Sequence, residues 1–374
     1  MESDSTSDRT ALLSRVEQLV PQIQAQAAEC DAAAQLPRNA VAQLKDLGVL
    51  RATLPVALGG LGFGEGADGA PLLFRMLYLL GQASLAVARI VDCHINALQL
   101  ILRYGTLAQA ERAAVDIWAG HLFALWTADP RDAAGVSITP HGDGYALEGA
   151  KAFCVGAGVA TRALITARTA TGAQLVMVDL APGERVRSDD EKLGGIRAAV
   201  TGSVDFSDLG VPAEALLGAE GDYLREPVFS AGAWRGSAAA LGGLGALLDI
   251  HRGELIARQR DRDPHQRARF GQAVMAHETA RLWVEQAALR ACREDGSPVA
   301  IVAYVNLARL AVEAACLDAM RLTQRGLGLQ AFMAGHPAER LCRDLAVYLR
   351  LPAPDEIMDK AAAFYLQGAL PGGA

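Results

Sequence analysis

The feature that most restricts what this chain can fold into is one β-rich stretch, Leu122 to Gly218, inside an otherwise Ala/Leu-rich sequence. Runs such as Ala163-Leu164-Ile165-Thr166-Ala167 and Leu175-Val176-Met177-Val178 are too short for buried helices and are bounded by Gly, Asp and Pro turns, which is the pattern of strands. Before and after this stretch, apolar residues recur at helical spacing. The expected fold class is therefore α+β and multidomain: an N-terminal α-helical bundle over residues 1–121, a β-barrel or sandwich module over 122–218, and a C-terminal four-helix bundle over 219–374. With 374 residues, 51% of them hydrophobic, the chain can divide its core among such units.

In the N-terminal part, Leu12, Val16, Leu19 and Val20, then Val41, Leu44 and Leu47, mark helical faces, with Pro37 opening and Gly48 closing the second helix. Thr53–Gly62 holds a proline and three glycines and must loop. Helices resume over about 71–103 and 107–120. Residues 83–102 are apolar around most of the helix, with Arg89 and Asp92 as the only charges, which places this segment in the middle of a bundle. His94 within it reads as a hydrogen-bonded core histidine rather than a catalytic one. Downstream, helices are expected over 230–260, 267–295, 299–327, 339–349 and from Asp355, and Gly242, Gly243 and Gly245 among alanines allow very close helix contact.

Composition excludes several function classes. Lys plus Arg number 35 against 42 for Asp plus Glu, so no basic field advertises nucleic acid or an anionic membrane. The six cysteines are scattered without metal-ligand spacing, so no metal site is expected, and they read as reduced residues of a cytoplasmic protein. The acidic, polar start lacks the features of a signal peptide, and no uncharged apolar run approaches the roughly 20 residues of a membrane span. A small-molecule ligand is the remaining default.

Several motifs sharpen this. The entry segment carries Leu36-Pro37, Leu44, Gly48, Leu54-Pro55 and Gly59-Gly60. The β stretch carries Gly142-Asp143-Gly144-Tyr145-Ala146-Leu147-Glu148-Gly149-Ala150-Lys151-Ala152-Phe153, then Leu193-Gly194-Gly195-Ile196-Arg197, Val204-Asp205-Phe206 and the exit Val211-Pro212-Ala213-Glu214-Ala215-Leu216-Leu217-Gly218. In this order and spacing they resemble the acyl-CoA dehydrogenase family over essentially the whole chain. The resemblance implies FAD in the cleft between β-module and C-terminal bundle, and a homodimer or homotetramer. It also implies oxidation of an acyl thioester carried by CoA or a carrier protein, with electrons passing to a flavoprotein or oxygen. A carboxylate removes the α-proton while hydride passes to flavin N5.

The resemblance also assigns residues. Trp126, Thr127 and Ala128 fall on the family's flavin loop, followed by Asp129-Pro130 and, where Gly-Ser is usual, Ala133-Ala134; Ala134 is carried over as a substrate contact. Phe153, Cys154 and Val155 match the strand against the flavin ring. Arg267 with Phe270 matches the pyrophosphate grip, although an ungapped count selects Arg260, and Glu278 stands where glutamine is usual. Arg325, opening Arg325-Gly326-Leu327-Gly328, stands in for a glutamine at a glycine turn that reaches a phosphate.

The motif His336-Pro337-Ala338-Glu339-Arg340-Leu341-Cys342-Arg343-Asp344 fixes the remaining alignment and puts Pro352 where the family's glutamate base stands. A second family position for the base is Trp234, before Arg235, both expected at the substrate. Asp355 and Glu356 are the nearest carboxylates and the candidate bases, Asp355 being equally explained as a helix N-cap. Three functions stay open: an acyl-thioester dehydrogenase, a flavin-dependent monooxygenase of the same fold, and a degenerate binding or structural relative.

Overall fold

The computed structural model describes residues 2–187, 193–293, 296–368 and 370–371. The N-terminal helices are α1 (Glu2–Ala33), α2 (Arg38–Leu47), α3 (Gly66–Ala83), α4 (Leu85–Tyr104) and α5 (Leu107–Trp118). As expected, Pro37 precedes α2 and Gly48, at φ 90°, closes it by donating to the carbonyls of Leu44 and Lys45. The single helix expected over 71–103 is instead two. α3 begins five residues before Pro71, and Ser84 adopts extended backbone and caps α4, its hydroxyl accepting from the Val87 amide at 3.4 Å. Both flanking helices are apolar and Ser84 is buried, so hydrophobic periodicity runs through the break unmarked.

The middle module holds β1 (Phe123–Trp126), β2 (Ser137–His141), β3 (Gly144–Glu148), β4 (Ala150–Cys154), β5 (Arg162–Arg168), β6 (Ala173–Asp179), β7 (Val186–Arg187), β8 (Gly202–Asp205), β9 (Leu209–Pro212) and β10 (Leu216–Leu217). One sheet runs β10-β6-β5-β2-β3-β9 with β1 pairing β5 in parallel, and a second runs β4-β8-β7. The GDGY motif is the β2–β3 turn, bringing Gly144 opposite His141.

The C-terminal part comprises a short α6 (Val228–Ala231) and the bundle α7 (Ala233–Ala257), α8 (Pro264–Arg293), α9 (Pro298–Leu327), α10 (Pro337–Tyr348) and α11 (Pro354–Gln367). The expected end of α8 at Asp295 lies outside the described residues. α7 crosses α3 at very short range: a Cβ added at Gly242 would lie 2.0 Å from the Tyr78 carbonyl oxygen, and one at Gly81 would lie 1.9 Å from that of Ala239. By length and composition α4 and the helical stretch Pro298–Phe332 reach what a membrane span needs, although neither is uncharged. The apolar windows are 78% and 56% buried against protein.

Two polar ties hold the three parts together. Asp31 on α1 accepts from Arg197 of the module (2.8 Å) and from Arg343 on α10 (2.7 Å), and Arg343 also donates to the Gly194 carbonyl at 3.0 Å. Burial alone would raise the Asp31 carboxyl, but the hydrogen bonds from Arg197 and Arg343 overcome it and hold it at about 2. Beside this tie, Asp344 accepts from the Ile196 amide at 2.7 Å, and its burial pushes its carboxyl up to about 6. The second tie is His94. Its Nδ1 accepts from the Phe123 amide at 3.0 Å, so Nε2 carries the proton and donates to the Leu50 carbonyl at 2.8 Å. Burial lowers this imidazole to about 4, the state of a neutral core histidine, as the sequence led us to expect.

Candidate functional site

The two segments aligned with a flavin platform are far apart in sequence and adjacent in space. Trp126 is buried at the end of β1 and its indole N–H donates to the Val155 carbonyl at 3.0 Å, while the Ala152 amide donates to the Ala128 carbonyl at 2.9 Å. Lys151 pins the loop between them. Its side chain is 2% exposed, and Nζ donates to Asp129 Oδ1 at 2.6 Å and to Thr166 Oγ1 at 2.9 Å. Burial pulls this ammonium's pKa down and Asp129 works against it, so the aspartate in the Asp129-Pro130 pair supplies the partner that lets a lysine stand inside the module.

Side chains at the platform divide by direction. Phe153, at φ 51° and 39% exposed, projects outward as an aromatic face. Cys154 points the other way, into the core of the module, so any contribution to a cofactor is through its backbone. Val155 is buried with Ile90 and Cys93 of α4. Thr127 accepts from the Tyr223 hydroxyl at 3.2 Å, and Ala128 and Ala134 are exposed.

Behind Val155, α4 presents its polar positions to α7 and α10. Arg89 Nη1 donates to Asp92 Oδ2 at 3.3 Å, and its guanidinium lies 5.7 Å from the Tyr348 ring centroid. Arg235 donates through Nε and Nη2 to Asn96 Oδ1 at 2.9 and 2.5 Å. Burial raises the Asp92 carboxyl against the pull of Arg89 and Arg235, and it lowers Arg235. Arg309 on α9 donates to the Pro352 carbonyl at 2.7 Å, so the family's glutamate position is a backbone group held by a cation. Trp234 is 1% exposed and belongs to the bundle core rather than to a substrate wall, because its indole packs inward from α7 while Arg235 turns toward α4.

Asp355 and Glu356 are exposed on the first turn of α11. The N-cap is Ala353, at φ 54° and without a side-chain cap, so the capping role expected for Asp355 is not realised. Glu356 is engaged by Lys360 at 2.6 Å, one helical turn on, and that hydrogen bond lowers its pKa.

The remaining candidates gather at the other end of the bundle. Arg267 is exposed on the first turn of α8, Phe270 meets His251 edge-on at 5.5 Å, and Arg325 is exposed on the last turn of α9. Arg260 donates to the Gly326 carbonyl at 3.4 Å, and Gln266, next to Arg267, to the same oxygen at 3.5 Å. Both alternatives for the phosphate grip therefore stand beside the Arg325 turn. Beneath it, His251 Nε2 and Gln266 Oε1 are buried without partners. Sequence reasoning noted Arg89 and Asp92 only as charges in an apolar helix. Tyr348 was marked only as the tyrosine that opens the motif leading to Pro352, and Asn96 and Arg309 carried no local signal.

Along the chain, a helical bundle is followed by a two-sheet module and a second helical bundle. The family model "Acyl-CoA dehydrogenase, N-terminal domain" matches residues 6–121. Among curated proteins, the mitochondrial isobutyryl-CoA dehydrogenase of Dictyostelium discoideum is 26% identical over 333 residues, covering 83% of this chain and 79% of that protein. Several other relatives match over only 33–46% of their own length. Among solved structures, butyryl-CoA dehydrogenase from Megasphaera elsdenii superposes with a TM-score of 0.85 at 19% identity, covering 96% of this chain and 98% of that one. KijD3 in complex with FMN and an amino-deoxysugar nucleotide superposes at 0.82 with 23% identity, covering 98% and 95%. The chain thus carries an acyl-CoA dehydrogenase N-terminal domain over residues 6–121 and is similar along most of its length to acyl-CoA dehydrogenases.

Proposed function

We propose that the protein is an FAD-dependent oxidoreductase acting on an acyl thioester, carried by CoA or by a carrier protein, with electrons passing on to a flavoprotein or oxygen. The observation that carries this reading is the pair of adjoining segments Trp126–Ala128 and Phe153–Val155, joined by the Trp126–Val155 hydrogen bond, held by Lys151 and Asp129 and set against α4. FAD would supply the acceptor for a hydride from the substrate. The residues fit it through backbone, stacking and charge rather than hydroxyls: Phe153 offers an aromatic face, and the exposed Arg267 and Arg325 with Arg260 suit a pyrophosphate, which favours a dinucleotide over FMN. In a homodimer or homotetramer, that arginine corner would serve a neighbouring subunit. Of the two candidate bases, Asp355 is the better placed, since Glu356 is held by Lys360.

A second reading, a flavin monooxygenase, is favoured by Pro352 and Trp234, which leave both family base positions without a carboxylate. Purified protein separates the readings. Flavin absorbance that bleaches anaerobically on adding an acyl thioester is the expected result. Flavin that stays oxidised with thioesters of every chain length tried, but consumes oxygen once chemically reduced, would overturn the first reading in favour of the second.

A further inference from the structure

A cavity of about 660 Å³ lies where α5 meets the β-module, and neither Trp126–Ala128 nor Phe153–Val155 lines it. Its volume falls within the roughly 300–1,000 Å³ of small-molecule sites, and it sits between two parts of the chain, where such sites concentrate. The walls are graded from inside to outside. Phe123, Leu164 and Val178, at 3%, 0% and 3% exposure, form the floor. Met177, Leu209 and Leu216 are half-buried along the sides, and Ala108 on α5 and Ala213 after β9 are exposed at the mouth. The result is an apolar slot, shielded in its depth and open at the surface.

The polar groups of the lining are largely committed to one another. Gln109 of α5 donates through Nε2 to the carbonyls of Glu214 and Leu216 at 2.9 and 2.8 Å, which ties the helix to the segment between β9 and β10. Elsewhere in the lining, four charges close a circuit. Arg162 grips Asp116 at 2.8 and 3.0 Å and reaches Asp179 at 3.2 Å, while Arg112 bonds Asp179 at 2.9 Å and lies 3.6 Å from Asp116. Two guanidiniums against two carboxylates leave this circuit without net charge. Glu214, the other charged residue of the lining, is exposed at the mouth.

An ion seated on the floor would exchange water for apolar walls and find no free counter-charge there, and an anion would also have to pass the Glu214 carboxylate. A neutral apolar molecule meets neither obstacle and gains by covering Phe123, Leu164 and Met177. The depth of the slot suits a small molecule rather than a second copy of the chain, whose surface would cover the alanines at the mouth and leave the floor empty.

The geometry points to a second ligand site here, for a neutral, apolar small molecule, separate from the flavin platform. β1 joins the two places. Phe123 lies at the floor of the slot and its amide donates to His94, while Trp126, three residues on and roughly 10 Å along the strand, stands at the platform. The site is independent of the acyl-thioester reading, because no group of the platform takes part in it.

The test is fluorescence titration of the purified full chain with N-phenyl-1-naphthylamine, a neutral aromatic probe, and with its 8-sulfonate, which has the same body and a negative charge. The neutral probe is expected to saturate a single site per chain and to bind about tenfold or more tightly than the sulfonate. Ala108→Trp and Ala213→Trp, which bring an indole to the mouth from α5 and from the module, are each expected to weaken the neutral probe about tenfold, with thermal unfolding as in wild type. No saturable binding of the neutral probe, equal or tighter binding of the sulfonate, or an affinity intact in both variants overturns the inference. A changed oligomeric state of both variants by analytical ultracentrifugation also overturns it, and assigns this face to a second copy of the chain.

Discussion

Two buried ion clusters in this molecule use the same residue types to opposite effect. At the seam where α1, the β-module and α10 meet, one aspartate, Asp31, is shared by Arg197 and Arg343, and Glu339 and the Gly194 carbonyl take up further guanidinium donors. Between α4 and α7, Asp92 faces Arg89 and Arg235. In the first cluster the hydrogen bonds overcome burial and depress the carboxyl. In the second, burial wins and raises it. The first cluster joins three parts of the chain, whereas the second lies between α4 and α7 and ties fewer elements together.

The sharpest way to break this comparison is Asp31→Asn. It leaves Arg197 and Arg343 without their shared anion, and a loss of about 2–3 kcal/mol is expected by urea unfolding at neutral pH, discounted because both arginines are partly exposed. A loss below about 0.5 kcal/mol would show that the seam is held by packing rather than by charge.

Acid titration of the same pair gives a somewhat smaller effect with a defined sign. The Asp31 carboxyl lies at about 2 in the folded state against an ordinary 3.8, so its contribution is present above the ordinary value and is lost as pH falls through the folded one. The difference in unfolding free energy between wild type and Asp31→Asn should therefore narrow by about 2 kcal/mol between pH 4 and pH 2. Asp344, raised to about 6, contributes with the opposite sign: its stabilisation is present below its ordinary value and is lost as pH rises through 6. Asp31 is one of the charges that raise Asp344, so Asp31→Asn also draws Asp344 back toward its ordinary value and the two contributions cancel only in part.

The smallest expected effect is at the second cluster. Arg235→Met removes a buried cation, and its stability should stay within about 1 kcal/mol of wild type or rise slightly, as read by thermal unfolding in the absence of ligand. A loss as large as that of Asp31→Asn would make this a structural cluster like the seam.

Much of the fold was legible because it is written in local patterns. Gly48 marks a helix end, the Gly242 region marks close helix contact, and the β island stands out against its helical flanks. The break at Ser84 was not legible, since a buried serine between two apolar helices leaves the hydrophobic period intact. At the candidate site, the two charges on α4 were visible in sequence, but their meaning depends on Arg235, Tyr348 and Arg309 from three other helices, contacts that no local window contains. Trp234 shows the same limit from the other side: whether an indole lines a pocket or fills a core depends on which way its helix is turned. Glu356 and Lys360, four residues apart, have the spacing of a helix ion pair that is visible in the sequence itself.

The crossing of α3 and α7 at Gly81 and Gly242 has a mechanical consequence. With backbone against backbone and no side chain between them, the two helices form a bearing without play, close in sequence to Arg235 on α7. A rocking motion of α7 would drive the Tyr78 and Ala239 carbonyl oxygens into the opposing chain. The stretch of α7 around Arg235 is therefore held rigidly against α3, whereas on the β-module Phe153, Ala128 and Ala134 are exposed and free of any such constraint.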